Sequence, residues 1–227
     1  MKALLLAAGF GTRLRPITDN IPKCLLPING KALLEIWIDN LVAIGIDKIF
    51  INTHYLAEQV EDFINESKYK KFIEILYEPI ILGTAGTLIN NLDKFEDEDL
   101  LLIHADNYCL ADLEELIYFH NNRPNNCLMT MLLFNTTNAS KCGIVELNNK
   151  KIVIKFHEKV INPPTNIANA AIYIISNKLL KNLRNTAYKD FSTEIIPNLL
   201  GSIYTYLTDR KMVDIGTIDD YHKVNNI

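Results

Sequence analysis

The sequence predicts an α/β fold in which helices cover both faces of a mainly parallel sheet. Short apolar runs alternate with amphipathic helical patterns over the first half of the 227 residues, as is typical of parallel strands joined by helices. The second half consists mostly of short β-prone runs, which predicts a smaller lobe rich in strands. Hydrophobic residues make up 48% of the chain and charged residues 22%, the proportions of an ordinary globular domain.

The elements of the first half follow one another as strand, helix, strand. The apolar positions Leu33, Leu34 and Trp37 mark one face of the first helix, and Gly45 ends it. The predicted strands are Lys2–Ala8, Lys48–Thr53, Ile73–Tyr77 and Leu100–Ile103, and the predicted helices are Ala32–Ala43, Leu56–Glu66, Thr87–Asn91 and Leu113–Asn121. Ligands of such sheets bind beyond the carboxyl ends of the strands, so the loops after the first and fourth strands are the first candidates for a site.

Turn and capping residues organise the second half. An Asn-rich turn at Asn148–Lys150 joins two β-prone runs and predicts a hairpin. Ser192 is predicted to cap a helix that continues to Leu200, and Thr217 a final helix with Asp220 in its first turn. The predicted strands are Ile144–Leu147, Ile152–Phe156, Asn169–Ile175, Tyr204–Leu207 and Lys211–Val213. No repeat or linker interrupts the chain, so we expect a single domain.

Composition narrows the range of partners. A net charge of −4 argues against a nucleic-acid binder, which is usually basic. The four cysteines are scattered without a Cys-x-x-Cys pair, so neither a zinc site nor a disulfide framework is indicated. No apolar run approaches the roughly 18 residues of a membrane span, and the N-terminal apolar stretch is too short for a secretory signal. We therefore expect a cytoplasmic protein without a membrane partner, and the strands of the second half leave a homodimer open.

The most informative segment is the glycine-bearing loop after the first strand. Gly9 and Gly11 allow backbone N–H groups to approach a ligand with no Cβ in the way, and Arg13 and Arg15 carry charge that suits phosphate oxygens. A P-loop is excluded because no Gly-Lys-Ser/Thr follows at the required offset. A dinucleotide fingerprint is excluded because Leu14 stands where the third glycine is needed. From this pattern alone, a phosphate cradle and a simple tight turn both remain open.

Two further segments carry groups that suit the same kind of ligand. Pro22 and Pro27 are expected to hold Lys23 on an extended, stiffened backbone shortly after the arginines. Gly83 and Gly86 flank a helix start, where small residues leave room for a flat ring and the helix dipole adds positive potential. Taken singly, a lysine in a proline turn and a glycine-flanked helix start are common structural features.

Carboxylates at strand ends suggest a metal. Asp106 and Asp214 each follow a short apolar run, and two aspartates could converge on Mg²⁺, which prefers oxygen ligands and substrate phosphates. The pair Glu158 and Lys159 suits a phosphorylated sugar, because the carboxylate accepts from hydroxyl groups and the ammonium meets the phosphate. If these residues have only structural roles, Asp106 and Asp214 cap helices, and Glu158 and Lys159 form an exposed ion pair.

Taken in order, these segments resemble the sugar-1-phosphate nucleotidyltransferases. The matching pieces are Ala-Ala-Gly-Phe-Gly-Thr-Arg-Leu-Arg-Pro at 7–16, Pro-Lys at 22–23, Leu-Gly-Thr-Ala-Gly at 82–86, Asp106, Gly-Ile-Val at 143–145, Glu-Lys at 158–159, Asn-Ala at 169–170 and Asp-Ile-Gly-Thr at 214–217. They cover nearly the whole chain. The sequence departs from the family at Ala105 and Ala171, where the family usually has glycine, and these two extra methyl groups leave the identity of the sugar open.

The resemblance implies a Rossmann-like three-layer αβα fold with a small β-rich sugar-binding lobe. Residues 1–110 would form the nucleotide-binding half of the domain and residues 111–227 the sugar-phosphate-binding half. The implied catalytic residues are Arg13 and Lys23, and the implied ligands of a Mg²⁺ cofactor are Asp106 and Asp214. The implied nucleotide-binding residues are Leu6, Ala8, Gly9, Gly11, Thr12, Arg13, Gly83, Thr84 and Gly86, and the implied sugar-phosphate-binding residues are Asn107, Gly143, Glu158, Lys159 and Asn169.

The implied reaction is transfer of a nucleoside monophosphate from an NTP to a sugar 1-phosphate, with release of pyrophosphate. The Leu-Gly-Thr-Ala-Gly form is most similar to the mannose-1-phosphate guanylyltransferase branch, and residues 78–90 lack the glutamine common in thymidylyl- and uridylyltransferases. We therefore expect GTP and a mannose- or heptose-1-phosphate type of sugar, for glycan synthesis. Cytidylyl, uridylyl or thymidylyl transfer to another phosphorylated sugar or small alcohol is an alternative, and a non-catalytic nucleotide-sugar-binding regulator is a second.

Overall fold

The structure is a computed structural model that describes residues 1–95 and 97–225. Within these ranges the helices are α1 (Leu33–Ala43), α2 (Ala57–Glu66), α3 (Thr84–Asn90), α4 (Leu113–Asn121), α5 (Asn177–Leu183) and α6 (Ile218–Asn225). The strands are β1 (Lys2–Leu6), β2 (Pro27–Ile28), β3 (Lys31–Ala32), β4 (Ile49–Thr53), β5 (Ile73–Tyr77), β6 (Leu100–His104), β7 (Asn107–Cys109), β8 (Met129–Asn135), β9 (Gly143–Leu147), β10 (Val153–Glu158), β11 (Ile167–Ile175), β12 (Ile203–Thr208) and β13 (Met212–Asp214).

The chain divides into two compact units. The first comprises Met1–Ile81, Ile103–Leu110 and the stretch from Lys211 onward, and the second comprises Leu82–Leu102 and Ala111–Arg210. This division does not follow the boundary at residue 110 that the family resemblance implies. The stretch from Lys211 joins the first unit because β13 pairs antiparallel with β7.

The first unit contains the parallel strands that the sequence predicts. β1 pairs parallel with β4, and β4 pairs parallel with β5. The apolar side chains of β1 and β4 are buried, as the uninterrupted apolar runs require, and Leu4, Leu5 and Ile51 have no exposed surface. Helix α1 buries its predicted apolar face, including Leu34 and Trp37. The prediction of an α/β fold is confirmed.

The second unit is rich in strands. β11 pairs antiparallel with both β8 and β9, β9 pairs antiparallel with β10, and β12 lies parallel to β8. The predicted hairpin is present: the Asn148 side chain accepts hydrogen bonds from the backbone N–H groups of Lys150 and Ile152, at 2.9 and 3.1 Å, and so closes the turn. A register shift between Asn169 and Tyr173 interrupts the pairing of β11 with β8.

Helix ends show where local signals suffice. Thr217 caps α6 as predicted, because its hydroxyl accepts a hydrogen bond from the Asp220 N–H at 3.2 Å. The predicted helix from Ser192 to Leu200 is wrong. A single π-helical turn, Phe191–Ile195, is followed by a 3-10 turn, Ile196–Leu199, in which a proline lacks the donor that an α-helix needs.

The sequence analysis missed β8 and α5, as well as the short strands β2, β3 and β7. Strand β8 is a run of apolar residues with a buried Thr130, and α5 is capped by Ser176, whose hydroxyl accepts a hydrogen bond from the Leu179 N–H at 3.2 Å. The sequence contained a signal for each of these two elements: an apolar run for β8 and an N-cap serine for α5. None of the helices in residues 1–95 and 97–225 is long and apolar enough to cross a membrane.

Candidate active site

The glycine loop has a fixed shape in the first unit. Gly11 has a φ of +63°, and a Cβ there would lie 2.9 Å from Cγ2 of Thr18. The Thr18 hydroxyl donates to the carbonyl of Gly11 at 2.8 Å and joins the two ends of the loop. Gly9 differs, because a Cβ at that position would meet no atom within 4 Å. Gly11 is therefore required by the loop itself, whereas the open space at Gly9 is available to a ligand.

The two arginines of the loop have different surroundings. Arg13 is exposed on a 3-10 turn, Thr12–Leu14, which is anchored by the buried Leu14. The guanidinium of Arg15 forms an ion pair with Asp19 at 3.1 Å, on the surface. Arg13 is thus available to an anion, while Arg15 already has a carboxylate partner.

Lys23 differs most from its sequence-based expectation. The segment is not extended: Lys23–Leu25 forms a 3-10 turn, and the side chain of Lys23 is only 7% exposed. Its Nζ lies 2.8 Å from Oδ2 of Asp106 and 3.8 Å from Oδ1 of Asp214. A nearly buried ammonium therefore lies beside two carboxylates that are distant in sequence.

Strand pairing explains why these two aspartates meet. In the β7–β13 ladder Asp214 is the register partner of Asn107, the residue that follows Asp106. The backbone carbonyl of Asn107 also accepts a hydrogen bond from the indole N–H of Trp37 at 2.9 Å, which ties the ladder to α1. The convergence expected from the sequence is present, and it is produced by a short antiparallel pair.

The electrostatics keep Asp106 ionised. Burial alone would raise the pKa of this carboxyl, but the Lys23 ammonium and the nearby His104 outweigh it and hold the pKa below its ordinary value. The side chain nevertheless remains 42% exposed, and that of Asp214 56% exposed, so both carboxylates can reach a ligand.

The donor set fits a hard divalent cation. Two accessible carboxylates beside one ammonium supply the oxygen ligands that Mg²⁺ prefers, and Mg²⁺ commonly takes one or two carboxylates and completes its shell with substrate phosphates and water. Among the described residues there is no group of three or more histidine, cysteine, aspartate or glutamate side chains that could hold a metal ion. The chemistry thus favours an ion held jointly by Asp106, Asp214 and a phosphorylated substrate.

A polar residue that the sequence analysis missed supports the start of the loop. Asn52 lies in the buried strand β4, and its side-chain oxygen accepts a hydrogen bond from the Ala7 N–H at 2.7 Å. Its amide nitrogen donates to the buried carboxylate of Glu78 at 3.0 Å, which fixes the orientation of the amide. Leu6 and Ala8, on either side of Ala7, are buried. A single asparagine in an otherwise apolar strand was the available signal.

In the second unit, the loop at 82–86 is packed against backbone. Gly83 has a φ of +82°, and a Cβ there would lie 2.4 Å from the carbonyl oxygen of Lys189. That oxygen accepts hydrogen bonds from the N–H groups of Ala85, at 3.0 Å, and Gly86, at 3.4 Å. A backbone carbonyl therefore caps two of the N–H groups at this helix start.

The residues of the second unit that are predicted to bind the sugar phosphate lie on or directly beside neighbouring strands. Glu158 is the register partner of Gly143, and a Cβ at 143 would come 2.9 Å from Oε2 of Glu158. Lys159 has a φ of +49°, and its Nζ lies 3.3 Å from Oε1 of Glu158. Asn169 follows Ala168, which pairs with the residue after Gly143. Gly143, Glu158, Lys159 and Asn169 are therefore grouped as expected, whereas Asn107 lies buried in the first unit.

Known protein families and curated proteins are similar to this chain over most of its length. The model of the family described as nucleotidyl transferase matches residues 2–227. The chain belongs to this family. A mannose-1-phosphate guanylyltransferase of Mycobacterium tuberculosis is 30% identical over 224 residues, covering 96% of this chain and 62% of that protein. A D-glycero-alpha-D-manno-heptose 1-phosphate guanylyltransferase of Aneurinibacillus thermoaerophilus is 28% identical, covering 98% of this chain and 96% of that protein.

The fold of this nucleotidyl transferase family member is also shared with a solved structure. HddC from Yersinia pseudotuberculosis superimposes with a TM-score of 0.84 at 24% identity, covering 99% of this chain and 98% of that one. The chain spans about three-fifths of the length of several of the curated relatives that it matches.

Proposed function

We propose that this protein transfers a nucleoside monophosphate, GMP, from GTP to a mannose- or heptose-1-phosphate type of sugar. The observation that carries the proposal is the contact of the Lys23 ammonium with Asp106 at 2.8 Å and with Asp214 at 3.8 Å. This arrangement combines a buried cation with two carboxylates, which suits the meeting of two phosphate groups.

In the proposed reaction a phosphate oxygen of the sugar 1-phosphate attacks the α-phosphorus of the nucleotide. A new P–O bond forms, the bond from the α-phosphorus to the bridging oxygen breaks, and pyrophosphate leaves with the electron pair. The attacking phosphate is already ionised at neutral pH, so no general base is required. Because two anions must approach each other, positioning and charge neutralisation supply most of the catalysis.

Four charged residues of the first unit have a part in this scheme. The exposed guanidinium of Arg13 stabilises the leaving pyrophosphate, since its planar fork suits phosphate oxygens. Lys23 neutralises charge at the α-phosphate and on the incoming phosphate. Asp106 and Asp214 would hold Mg²⁺, which when bound acts as a Lewis acid and template. The N–H groups near Gly9 and Gly11 contact the triphosphate.

The second unit contributes the groups proposed for the sugar phosphate and the base. Lys159 binds the phosphate of the sugar. Glu158 accepts hydrogen bonds from the sugar hydroxyl groups, and the amide of Asn169 both donates hydrogen bonds to them and accepts hydrogen bonds from them. The loop that contains Gly83, Thr84 and Gly86 lines the pocket for the nucleotide base. The preference for GTP is supported by the absence of glutamine from residues 78–90 and by the names of the guanylyltransferases to which the chain is similar.

The decisive experiment measures pyrophosphate release in Mg²⁺ with GTP, CTP, UTP and dTTP, each paired with mannose 1-phosphate, a heptose 1-phosphate or phosphocholine. We expect the highest kcat/KM with GTP and one of the two sugar phosphates. Highest turnover with CTP and phosphocholine would reassign the substrate, and tight nucleotide-sugar binding without turnover in any pair would indicate a regulator.

The metal assignment is tested with Asp106→Asn. We expect pyrophosphate release to fall at least about a hundredfold, because the amide is a poor magnesium ligand and leaves Lys23 without its closest carboxylate. Asp209→Asn is the matched control, since that side chain is 98% exposed. Undiminished turnover in Asp106→Asn would contradict the assignment, provided that both variants keep the circular dichroism spectrum of the parent.

A further inference from the structure

The segment Lys189–Ile195 lies against the predicted nucleotide loop of the second unit. The carbonyl of Lys189 caps the N–H groups of Ala85 and Gly86, and the hydroxyl of Thr84 accepts a hydrogen bond from the Phe191 N–H at 2.8 Å. Hydrogen bonds to Lys189 and Phe191 of this one segment therefore hold the loop.

The carboxylate of Glu194 holds the start of this segment. Oε2 of Glu194 accepts hydrogen bonds from the backbone N–H groups of Lys189, at 2.6 Å, and Asp190, at 2.7 Å. These two bonds lower the pKa of Glu194, so the carboxylate stays ionised and keeps both bonds at neutral pH. The segment continues as the π-helical turn Phe191–Ile195, a conformation frequently found at functional sites.

An aromatic pair links the same segment to Asn169, a residue that is predicted to bind the sugar phosphate. The ring of Phe191 packs on the ring of Tyr173 with 4.6 Å between centroids, and both side chains are fully buried. The Tyr173 hydroxyl accepts a hydrogen bond from the amide nitrogen of Asn169 at 2.6 Å and is also hydrogen-bonded to the side chain of Ser192.

The amide of Asn169 is fixed at both ends. Its nitrogen donates to Tyr173, and its oxygen accepts from the Ala171 N–H at 2.9 Å. One amide hydrogen and one lone pair of the oxygen remain for a ligand, because an asparagine amide has two of each. The hydrogen bond to Tyr173 therefore determines the direction in which the remaining donor and acceptor of the Asn169 amide point.

We infer that Tyr173 and the segment Lys189–Ile195 form a positioning element that directs the Asn169 amide toward the sugar and holds the 82–86 loop for the nucleotide. None of these residues needs to touch a substrate. The inference rests on the proposed function, because it assigns Asn169 to the sugar and the 82–86 loop to the nucleotide.

The first test is Tyr173→Phe, which keeps the ring that packs on Phe191 and removes the hydroxyl that holds Asn169. We expect KM for the sugar 1-phosphate to rise about five- to twentyfold, the loss that follows when one positioning hydrogen bond is removed, while KM for GTP stays within about twofold. Tyr206→Phe is the matched control: it removes a hydroxyl that donates to Glu115 at 2.6 Å in the same unit and is expected to change neither KM.

The second test separates positioning from folding. Glu194→Ala removes the acceptor for Lys189 and Asp190, so we expect KM to rise for both GTP and the sugar 1-phosphate. Glu194→Gln keeps an acceptor oxygen and is expected to restore both KM values to within about threefold of the parent. This variant keeps the inference testable if Tyr173→Phe does not fold.

The outcomes are distinct. If the parent protein is active and Tyr173→Phe and Glu194→Ala change only the melting temperature, the positioning role is overturned and the proposed function stands. An equal rise of both KM values in Tyr173→Phe would also contradict the inference, since it requires a selective effect on the sugar. If the parent protein transfers nucleotide to none of the phosphates, the proposed function fails and the inference fails with it.

Discussion

Gly216 leaves the space that the guanidinium of Arg13 occupies. A Cβ at position 216 would lie 2.9 Å from Nη1 of Arg13 and 3.1 Å from Oδ2 of Asp214. The glycine follows β13, at whose end Asp214 faces Lys23. The absence of one side chain thus allows a proposed phosphate-binding cation to approach a proposed metal ligand.

Gly216→Ala is therefore expected to impair catalysis while leaving the fold intact. The closest atoms belong to the far ends of two exposed side chains, Arg13 and Asp214, which can move away at little cost to the free energy of unfolding. The displacement of Arg13 from pyrophosphate should lower kcat/KM by about 10- to 100-fold. Steady-state kinetics and thermal unfolding of the same preparation check the expectation. A variant with parental kcat/KM would show that the place of Arg13 beside Gly216 is not used in the reaction.

Gly9→Ala tests whether the phosphates approach the loop backbone. The new Cβ meets nothing within 4 Å in the protein, so the melting temperature should be unchanged or slightly raised by reduced freedom of the unfolded chain. A triphosphate lying on the loop would clash with the methyl group, and we expect the Kd for GTP to rise about tenfold or more. Isothermal titration with GTP in Mg²⁺ measures the effect. Parental affinity would place the triphosphate elsewhere.

Ala171→Gly is expected to stabilise the protein. Ala171 has a φ of +56°, a left-handed conformation that costs an L-residue about 1–2 kcal/mol and glycine almost nothing. The greater entropy of glycine in the unfolded chain offsets part of this gain, so we expect a net increase of about 0.5–1 kcal/mol in the free energy of unfolding. Urea denaturation provides the measurement, with Ala170→Gly as a control that should destabilise, because Ala170 is buried and does not have a positive φ. Destabilisation by both substitutions would contradict the argument.

The buried His120 and its partly exposed neighbour Asp99 predict how stability depends on pH. Burial and the nearby Arg123 lower the pKa of His120 below its ordinary value of 6.5, although Asp99 opposes this, and the His120 imidazole contacts Asp99 at 3.0 Å and Thr130 at 2.9 Å. The folded state therefore binds fewer protons than the unfolded state just below pH 6.5, so the stability from His120 is complete above that pH and is lost as pH falls.

The pKa of Asp99 is also lowered, chiefly by its hydrogen bond to His120, so its contribution is lost only below about pH 3.8. Melting temperatures measured between about pH 5 and 8 should fall on the acid side, and less steeply in His120→Gln, which cannot titrate. An identical pH dependence in both proteins would assign the effect to other groups.

Local patterns were enough to predict much of the fold. The apolar runs of β4 and β5 and the helical spacing of α1 are read within a few residues, because burial of one face imposes the period. The π-helical turn at Phe191–Ile195 was not predictable in this way, since it depends on Asp190 accepting from the Thr193 N–H and on packing against Tyr173. Local propensity there is overridden by tertiary contacts.

The residue types of the candidate site were readable, but their arrangement was not. By itself the sequence determined the α/β class, the alternation of strands and helices in the first half, and the glycines, lysine and aspartates of the candidate site. Tertiary structure alone decided that Lys23 is buried between Asp106 and Asp214 and that Lys189 occupies the helix start at Gly83. The physical reason is range: backbone period and capping act over a few residues, whereas these contacts depend on strand pairing and packing between segments about a hundred residues apart.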